Sequence, residues 1–90
     1  MTQGNGVRTG VRAFILEHFL VGESPESLHD STLLMTTGII SSLAMLELVA
    51  FVEAQHGVTL RQDDLTPDRL DSVDLIVELI EELAGAGEVR

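Results

Sequence analysis

Apolar residues recur at spacings of three and four in three separate segments, and this helical period most limits the folds open to the chain. The first segment runs from Val7 to Leu20 and the second from about Ser42 to His56, where Gly57 is well placed to end a helix. A third begins at Val73. Because no strand-like alternation of useful length accompanies them, the pattern predicts an all-α protein.

The segments between these helices contain glycine, proline and short polar residues, which favour turns. Residues 21–41 are expected to form a long connection with a short turn near Glu26–His29. Five apolar residues are predicted to attach it to the core: Leu28, Leu33, Leu34, Ile39 and Ile40. Residues 61–72 should add one or two irregular helical turns, with Asp71 or Ser72 capping the last helix. The prediction is a small four-helix bundle of three main helices and one short helix.

The length of 90 residues supports one hydrophobic core, so residues 1–90 are expected to form one domain with its core between about 7 and 83. Residues 1–6 and 84–90 show no periodicity and are expected to be mobile. The core should be aliphatic. Its expected members in the second helix are Met45, Leu48, Val49 and Val52, and in the last helix Val73, Ile76, Val77, Ile80 and Leu83. A core of this kind can adapt in shape, but the sequence does not measure whether it can shelter a ligand.

The charge balance restricts the partners of the chain. Fifteen acidic and five basic residues give a formal charge of −10, which repels nucleic-acid phosphates and anionic lipids and favours a basic protein surface. No apolar run approaches the length needed to cross a membrane. We therefore expect a cytoplasmic protein that binds neither nucleic acid nor membrane.

Neither catalysis nor metal binding is expected of the chain itself. A serine nucleophile needs a base within hydrogen-bond reach, but the three histidines, His18, His29 and His56, are far apart in the sequence. Cysteine is absent. Four aspartates are close in sequence, Asp63, Asp64, Asp68 and Asp71, but they lack the alternation and central glycine of a calcium loop. We expect no enzyme activity and a solvated acidic surface.

The adjacent serines at 41 and 42 stand at the predicted start of the second helix, where backbone N–H groups favour an anion. Two interpretations remain open on physical grounds. In the first, the serines serve only as caps, which is a common role of serine. Alternatively, this is a position where a phosphoester would be stabilised. The helix face opposite the core shows Leu43, Glu47, Ala50 and Ala54, which is unusually apolar for a solvated surface and indicates a docking face.

The stretch Gly38-Ile39-Ile40-Ser41-Ser42-Leu43, followed by Glu47-Leu48-Val49 and Glu53, resembles the attachment motif of the acyl carrier protein family. That motif has glycine, two residues and then Asp-Ser-Leu, and its serine holds a 4′-phosphopantetheine arm. Matched residue by residue, Ser42 takes the attachment position, and Ser41 is the second candidate. The resemblance extends over about residues 7–83 and implies an acyl-carrier-protein-like bundle, modified by a phosphopantetheinyl transferase that uses coenzyme A and magnesium.

The resemblance also implies partners and a surface for them. The partners would be the transferase, an acyl- or aminoacyl-loading enzyme, and downstream synthases or transferases, as for free-standing carriers of polyketide, nonribosomal peptide, fatty acid or related pathways. The residues implied to contact them are Leu43, Leu46, Glu47, Ala50 and Glu53, extended by Asp63, Asp64 and Asp68. A monomer would keep this face free. Leu46 at the edge of the core is the alternative role for that residue.

Two residues depart from the family pattern. Ser41 stands where the family usually has aspartate, and His56 where it usually has a buried aromatic residue. The first departure removes a negative charge beside the attachment site. An alternative reading therefore remains, in which the chain is an unmodified acidic helical interaction module that binds a basic protein.

Overall fold

The computed structural model describes the backbone of residues 3–88 and the side chains of residues 6–84. This part of the chain is all-helical and contains no strand. Four α-helices follow one another: α1 (Gln3–His18), α2 (Ser42–His56), α3 (Pro67–Leu70) and α4 (Val73–Glu88). Two single 3₁₀ turns, Pro25–Ser27 and Gln62–Asp64, lie in the connections. The prediction of three main helices and one short helix is confirmed.

Helix α4 lies at the centre of the packing, because it contacts α1, α2 and α3. A single aliphatic cluster fills the space between these helices. Its buried members are Val11, Ile15, Leu28, Leu34, Ile40, Met45, Leu48, Val49, Val52, Leu70, Val73, Ile76, Val77, Leu79 and Ile80. All four residues predicted to be buried in α2 belong to this cluster. In α4, four of the five predicted residues belong to it, and the fifth, Leu83, is half-buried. Leu79 is an additional buried residue of α4 that the periodicity did not predict.

Helix α2 has the bounds that the sequence predicts, because both of its ends are chemically defined. At its start, Ser41 Oγ accepts a hydrogen bond from the N–H of Ala44 at 3.0 Å. At its end, Gly57 has a φ of 65° and donates its N–H to Glu53 O at 2.9 Å. Because Gly57 has no side chain, it adopts this left-handed backbone conformation without steric cost and ends the helix.

The two terminal helices are longer than the sequence predicts at their outer ends. Helix α1 begins at Gln3 rather than Val7 and ends at His18 rather than Leu20, and α4 continues to Glu88. Residues 3–6 and 84–88 are therefore helical, while the expected mobility of the two ends stays a prediction. Extending a formed helix by one turn costs much less than starting one, so weak helix formers can be included. The remaining four positions, 1, 2, 89 and 90, lie outside the described residues.

The long connection between α1 and α2 is attached to the core by some, but not all, of the predicted residues. Leu28, Leu34 and Ile40 are buried and Ile39 is half-buried, whereas Leu33 is exposed, so the prediction for Leu33 is wrong. The neighbouring N–H of Leu34 donates to Asp71 O at 2.7 Å, which fixes the backbone so that only one of the two leucines faces the core. The 3₁₀ turn begins at Pro25, one residue before the predicted turn.

Asp30 attaches the first half of this connection to two helices. Its carboxylate accepts hydrogen bonds from Arg8 and Arg12 of α1, each at 2.9 Å, and its carbonyl accepts the N–H of Asp74 at 3.0 Å. Arg8 also donates to the Asp74 carboxylate at 2.6 Å. The hydrogen bond to Asp74, opposed by partial burial and assisted by the charge of Asp30, raises the pKa of Arg8 above its ordinary value. The ion pairs therefore connect α1, the loop and α4.

Candidate functional site

Ser41 and Ser42 have different roles although they are adjacent. Ser41 is the N-cap of α2, and its hydroxyl accepts the Ala44 N–H. Ser42 is the first residue of the helix, its side chain is exposed, and its hydroxyl forms no side-chain hydrogen bond with the described residues. The capping interpretation therefore fits Ser41, while the Ser42 hydroxyl is free to react.

The surroundings of Ser42 favour a negatively charged substituent. The first turn of α2 contains no acidic residue, so no negative side chain in that turn opposes an anion there. The unpaired N–H groups and the positive end of the helix dipole lie at the same turn. A phosphoester on Ser42 Oγ would meet these groups, which makes the position compatible with a phosphate-linked arm.

The loop that leads to Ser42 is held by Asp71, at the junction of α3 and α4. Asp71 Oδ1 accepts the N–H groups of Met35 at 2.7 Å and Thr36 at 3.0 Å, and Oδ2 accepts the Thr36 hydroxyl. Burial would raise the pKa of Asp71, but the hydrogen bonds from Thr36, Met35 and Leu34 outweigh it and hold the pKa below its ordinary value. Ser72, not Asp71, caps α4, by accepting the Leu75 N–H at 3.2 Å. Asp71 thus fixes the loop.

Four residues of α2 form one exposed surface beside Ser42, which we call the α2 surface: Leu43, Leu46, Glu47 and Ala50. Leu43 is 78% exposed and Leu46 is 49% exposed, so a large part of both apolar side chains faces solvent. The alternative that Leu46 lies at the edge of the core accounts for its covered half. An exposed pair of leucines one helical turn apart, beside a carboxylate, is typical of a docking site.

Two other predicted contact residues, Glu53 and Asp64, form internal hydrogen bonds. Glu53 is half-buried, and its Oε2 accepts the Leu60 N–H at 2.9 Å, which fixes the chain after α2. The Asp64 side chain is only 13% exposed; its Oδ2 accepts the Arg61 N–H at 3.0 Å and its Oδ1 lies 3.7 Å from Arg69 Nη1. Asp63 and Asp68 are exposed. The structure therefore brings four of the predicted contact residues together on α2 and gives Glu53 and Asp64 structural roles.

The arginines that form ion pairs in the described part of the chain do so with acidic residues that do not belong to the α2 surface. Arg8 and Arg12 are paired with Asp30, and Arg69 donates to Glu82 at 2.8 Å. Helix α2 itself contains two glutamates and no arginine or lysine. The α2 surface is thus apolar with a negative charge, which suits a partner with basic residues around an apolar patch.

The histidines lie on different parts of the molecule. His18 is exposed and stacks on Phe14, with ring centroids 4.2 Å apart; His29 is exposed and His56 is half-buried at the end of α2. Phe14 also stacks on Phe51, with ring centroids 4.4 Å apart. Within the described residues, no three histidine or acidic side chains are grouped to hold a metal ion, and no helix is long and apolar enough to span a membrane.

Asp30 and Asp71 are the polar residues whose importance the sequence analysis missed. Asp71 was considered only as a helix cap or a surface acid, and Asp30 was not considered. A signal was present for Asp30, because Arg8 and Arg12 are four residues apart on one face of α1, where an acidic partner could pair with both.

No model of a known protein family matches this chain, and no curated protein matches it either.

Proposed function

We propose that this protein is an acyl carrier protein in which Ser42 carries a 4′-phosphopantetheine arm derived from coenzyme A. The observation that best supports the proposal is the division of roles between the two serines. Ser41 caps the helix by accepting the Ala44 N–H, which leaves an exposed and unbonded hydroxyl on Ser42 at the positive end of α2, directly before the exposed Leu43. In its place within the motif, Ser42 is also the residue that the acyl carrier family modifies.

The proposed modification is a phosphoryl transfer that needs only this hydroxyl from the chain. Ser42 Oγ attacks the phosphorus of the pantetheine-bearing phosphate of coenzyme A, and a new P–O bond forms. The bond from that phosphorus to the bridging oxygen breaks, and adenosine 3′,5′-bisphosphate leaves with the electron pair. The transferase supplies the magnesium ion and the base that removes the hydroxyl proton. When bound, the arm supplies a terminal thiol on which an acyl or aminoacyl group is held as a thioester.

The rest of the chain presents the carried group to partner enzymes and catalyses no reaction itself. The α2 surface would dock the transferase, the loading enzyme and the downstream synthases or transferases in turn, and a monomer in the cytoplasm would leave it free. The mixed apolar and acidic character of this surface suits transient binding, because complementary charge increases the encounter rate more than the lifetime of a complex.

The proposal is tested by intact-protein mass after incubation with a broad-specificity phosphopantetheinyl transferase, coenzyme A and magnesium. Wild type, Ser41→Ala and Ser42→Ala are compared. We expect the mass of one arm on wild type and on Ser41→Ala, and none on Ser42→Ala. Because Ser42 is exposed and unbonded, Ser42→Ala should remain folded, so its failure to gain mass would report the missing hydroxyl alone.

Two other results would contradict parts of the proposal. Loss of the arm only in Ser41→Ala would move the attachment site by one residue. No gain of mass in any sample would support the second candidate function, an unmodified interaction module that binds a basic protein. That candidate is favoured by the exposed Leu43 and Leu46 beside Glu47, because such a surface can bind a partner without any modification.

A further inference from the structure

An apolar cavity lies between α2, α3 and α4, on the inner side of the helix that begins at Ser42. Met45 and Leu48 of α2, Leu70 of α3 and Leu79 of α4 are among the residues that line it. Its volume is about 10 Å³. A cavity of roughly this size is at the lower limit for one water molecule, and a cavity without polar partners stays dry.

Most of the side chains around the cavity are buried, so little of it is reached from solvent. Leu48 is 1% exposed, and Met45 and Leu79 are each 2% exposed. An alkyl chain of several carbons can therefore enter only if these side chains are displaced. Interiors packed at this density lose stability when extra methylene groups are forced into them.

The helices around the cavity are also connected by polar contacts that resist their separation. Arg69 of α3 donates to Glu82 of α4 at 2.8 Å and lies 3.7 Å from Asp64. At the next turn of the chain, Asp71 holds the loop before α2 through Leu34 and Met35. Moving α3 away from α4 to admit a long chain would strain or break the contact between Arg69 and Glu82.

We propose that the group carried on Ser42 is a short or polar acyl or aminoacyl group that stays outside the bundle, and not a long alkyl chain placed between α2 and α4. The inference rests on the proposed carrier function and specifies its substrate class. It follows from the small volume of the cavity and from the burial of most side chains that line it. The flexible arm would then hold its cargo in solvent or in the site of a partner enzyme.

The test uses the full chain loaded on Ser42 with either an acetyl or an octanoyl arm. The same transferase is supplied with acetyl- or octanoyl-coenzyme A, and intact mass verifies each product. We expect melting temperatures of the two forms to agree within about 1 °C, because a chain outside the core adds little to folding stability. Amide hydrogen exchange at Leu48 and Leu79 should also be the same in both forms.

A variant with an enlarged cavity shows that the measurement can detect a sheltered chain. Leu79→Ala removes a lining side chain, and here the octanoyl form should melt several degrees above the acetyl form, since dry apolar cavities bind apolar groups. Val11→Ala is the matched control, because Val11 is equally buried in α1 but does not line this cavity. Met45→Ala replaces Leu79→Ala if the latter does not fold.

The possible outcomes distinguish a failure of the proposed carrier function from a failure of the inference about its cargo. If octanoyl raises the melting temperature of wild type by several degrees and slows exchange at Leu48 and Leu79, the chain is sheltered and the inference about cargo is wrong, while the carrier function stands. If neither arm is transferred to Ser42, the carrier function is wrong and the inference is refuted with it. Equal melting of the two wild-type forms, together with a difference in Leu79→Ala, supports both.

Discussion

The Asp71 carboxylate accepts the backbone N–H of Met35 at 2.7 Å, across 36 residues of sequence. This bond connects the start of α4 to the loop that leads into the candidate attachment site. Asp71 is 7% exposed, and its other partners are the N–H and hydroxyl of Thr36. A buried, ionised carboxylate with three donors is stable only while each of them is present. The position of the loop therefore depends on the negative charge of the Asp71 carboxylate.

Replacing Asp71 with asparagine should lower stability in a pH-dependent way. The folded pKa of Asp71 is depressed, so its contribution is present above the unfolded pKa of about 3.9 and is lost as pH falls through the folded pKa. We expect Asp71→Asn to lower the free energy of unfolding by about 1–3 kcal/mol at pH 7 and by less below about pH 4. Urea titrations across this range measure the difference, with the exposed Asp63→Asn as control. An equal deficit at all pH values would contradict the assignment.

Substitutions of Ser41 should separate capping from recognition. Ser41→Ala removes the acceptor of the Ala44 N–H, so we expect a loss of about 1 kcal/mol in unfolding free energy. Ser41→Asp keeps an acceptor and restores the charge usual in the acyl carrier motif, so the arm should be added to Ser42 faster at unchanged or slightly higher stability. Urea unfolding and a mass time course measure the two effects. An unchanged rate for Ser41→Asp would show that the transferase does not recognise charge at this position, and a slower rate would contradict the prediction.

Changes on the α2 surface should weaken docking without weakening the fold. We expect Leu46→Gln or Glu47→Gln to lower the transferase kcat/KM roughly tenfold, which corresponds to about 1.4 kcal/mol, because both side chains are exposed and lie beside Ser42, the proposed attachment residue. Glu47→Gln should also reduce the dependence of the rate on salt. Glu81→Gln, an exposed carboxylate on α4, is the control. Equal effects of Glu47→Gln and Glu81→Gln would indicate that only the net charge matters.

Two glycine substitutions should change stability in opposite directions. A Cβ at either Gly57 or Gly10 would meet no atom within 4 Å, so only backbone conformation distinguishes them. Gly57 has a φ of 65°, and Gly57→Ala should cost about 1–2 kcal/mol. Gly10 lies inside α1, where Gly10→Ala should stabilise by about 0.5–1 kcal/mol. Thermal unfolding measures both, and a shift of the same sign in the two variants would contradict the explanation.

Helix α2 was predictable from the sequence because its limits and its buried face depend on local chemistry. Ser41 and Gly57 mark its ends, and the 3.6-residue period identifies Met45, Leu48, Val49 and Val52 as its inner face. The exposure of Leu43 follows from the same period. Most of the candidate site lies on this helix, so most of it was predictable as well.

The roles of Leu33, Glu53 and Asp71 were not predictable, because they depend on contacts between segments far apart in sequence. Which of Leu33 and Leu34 faces the core is decided by a hydrogen bond from Leu34 to Asp71, 37 residues further along the chain. Likewise, Glu53 has a structural role only because the chain turns after Gly57 and brings back the N–H of Leu60. Helical periodicity contains no information on these partners.

The hydrogen bond between Arg8 and Asp74 spans 66 residues and has a consequence for the order of folding. The loop after α1 depends on Asp30 and Asp71, so it has no fixed partner until α1 and α4 have packed together. Closing such a long segment is slow compared with forming a helix. We therefore expect the loop to fold last and to open first under mild denaturant. The backbone that positions Ser42 would then be among the least protected parts of a fold whose helices remain intact.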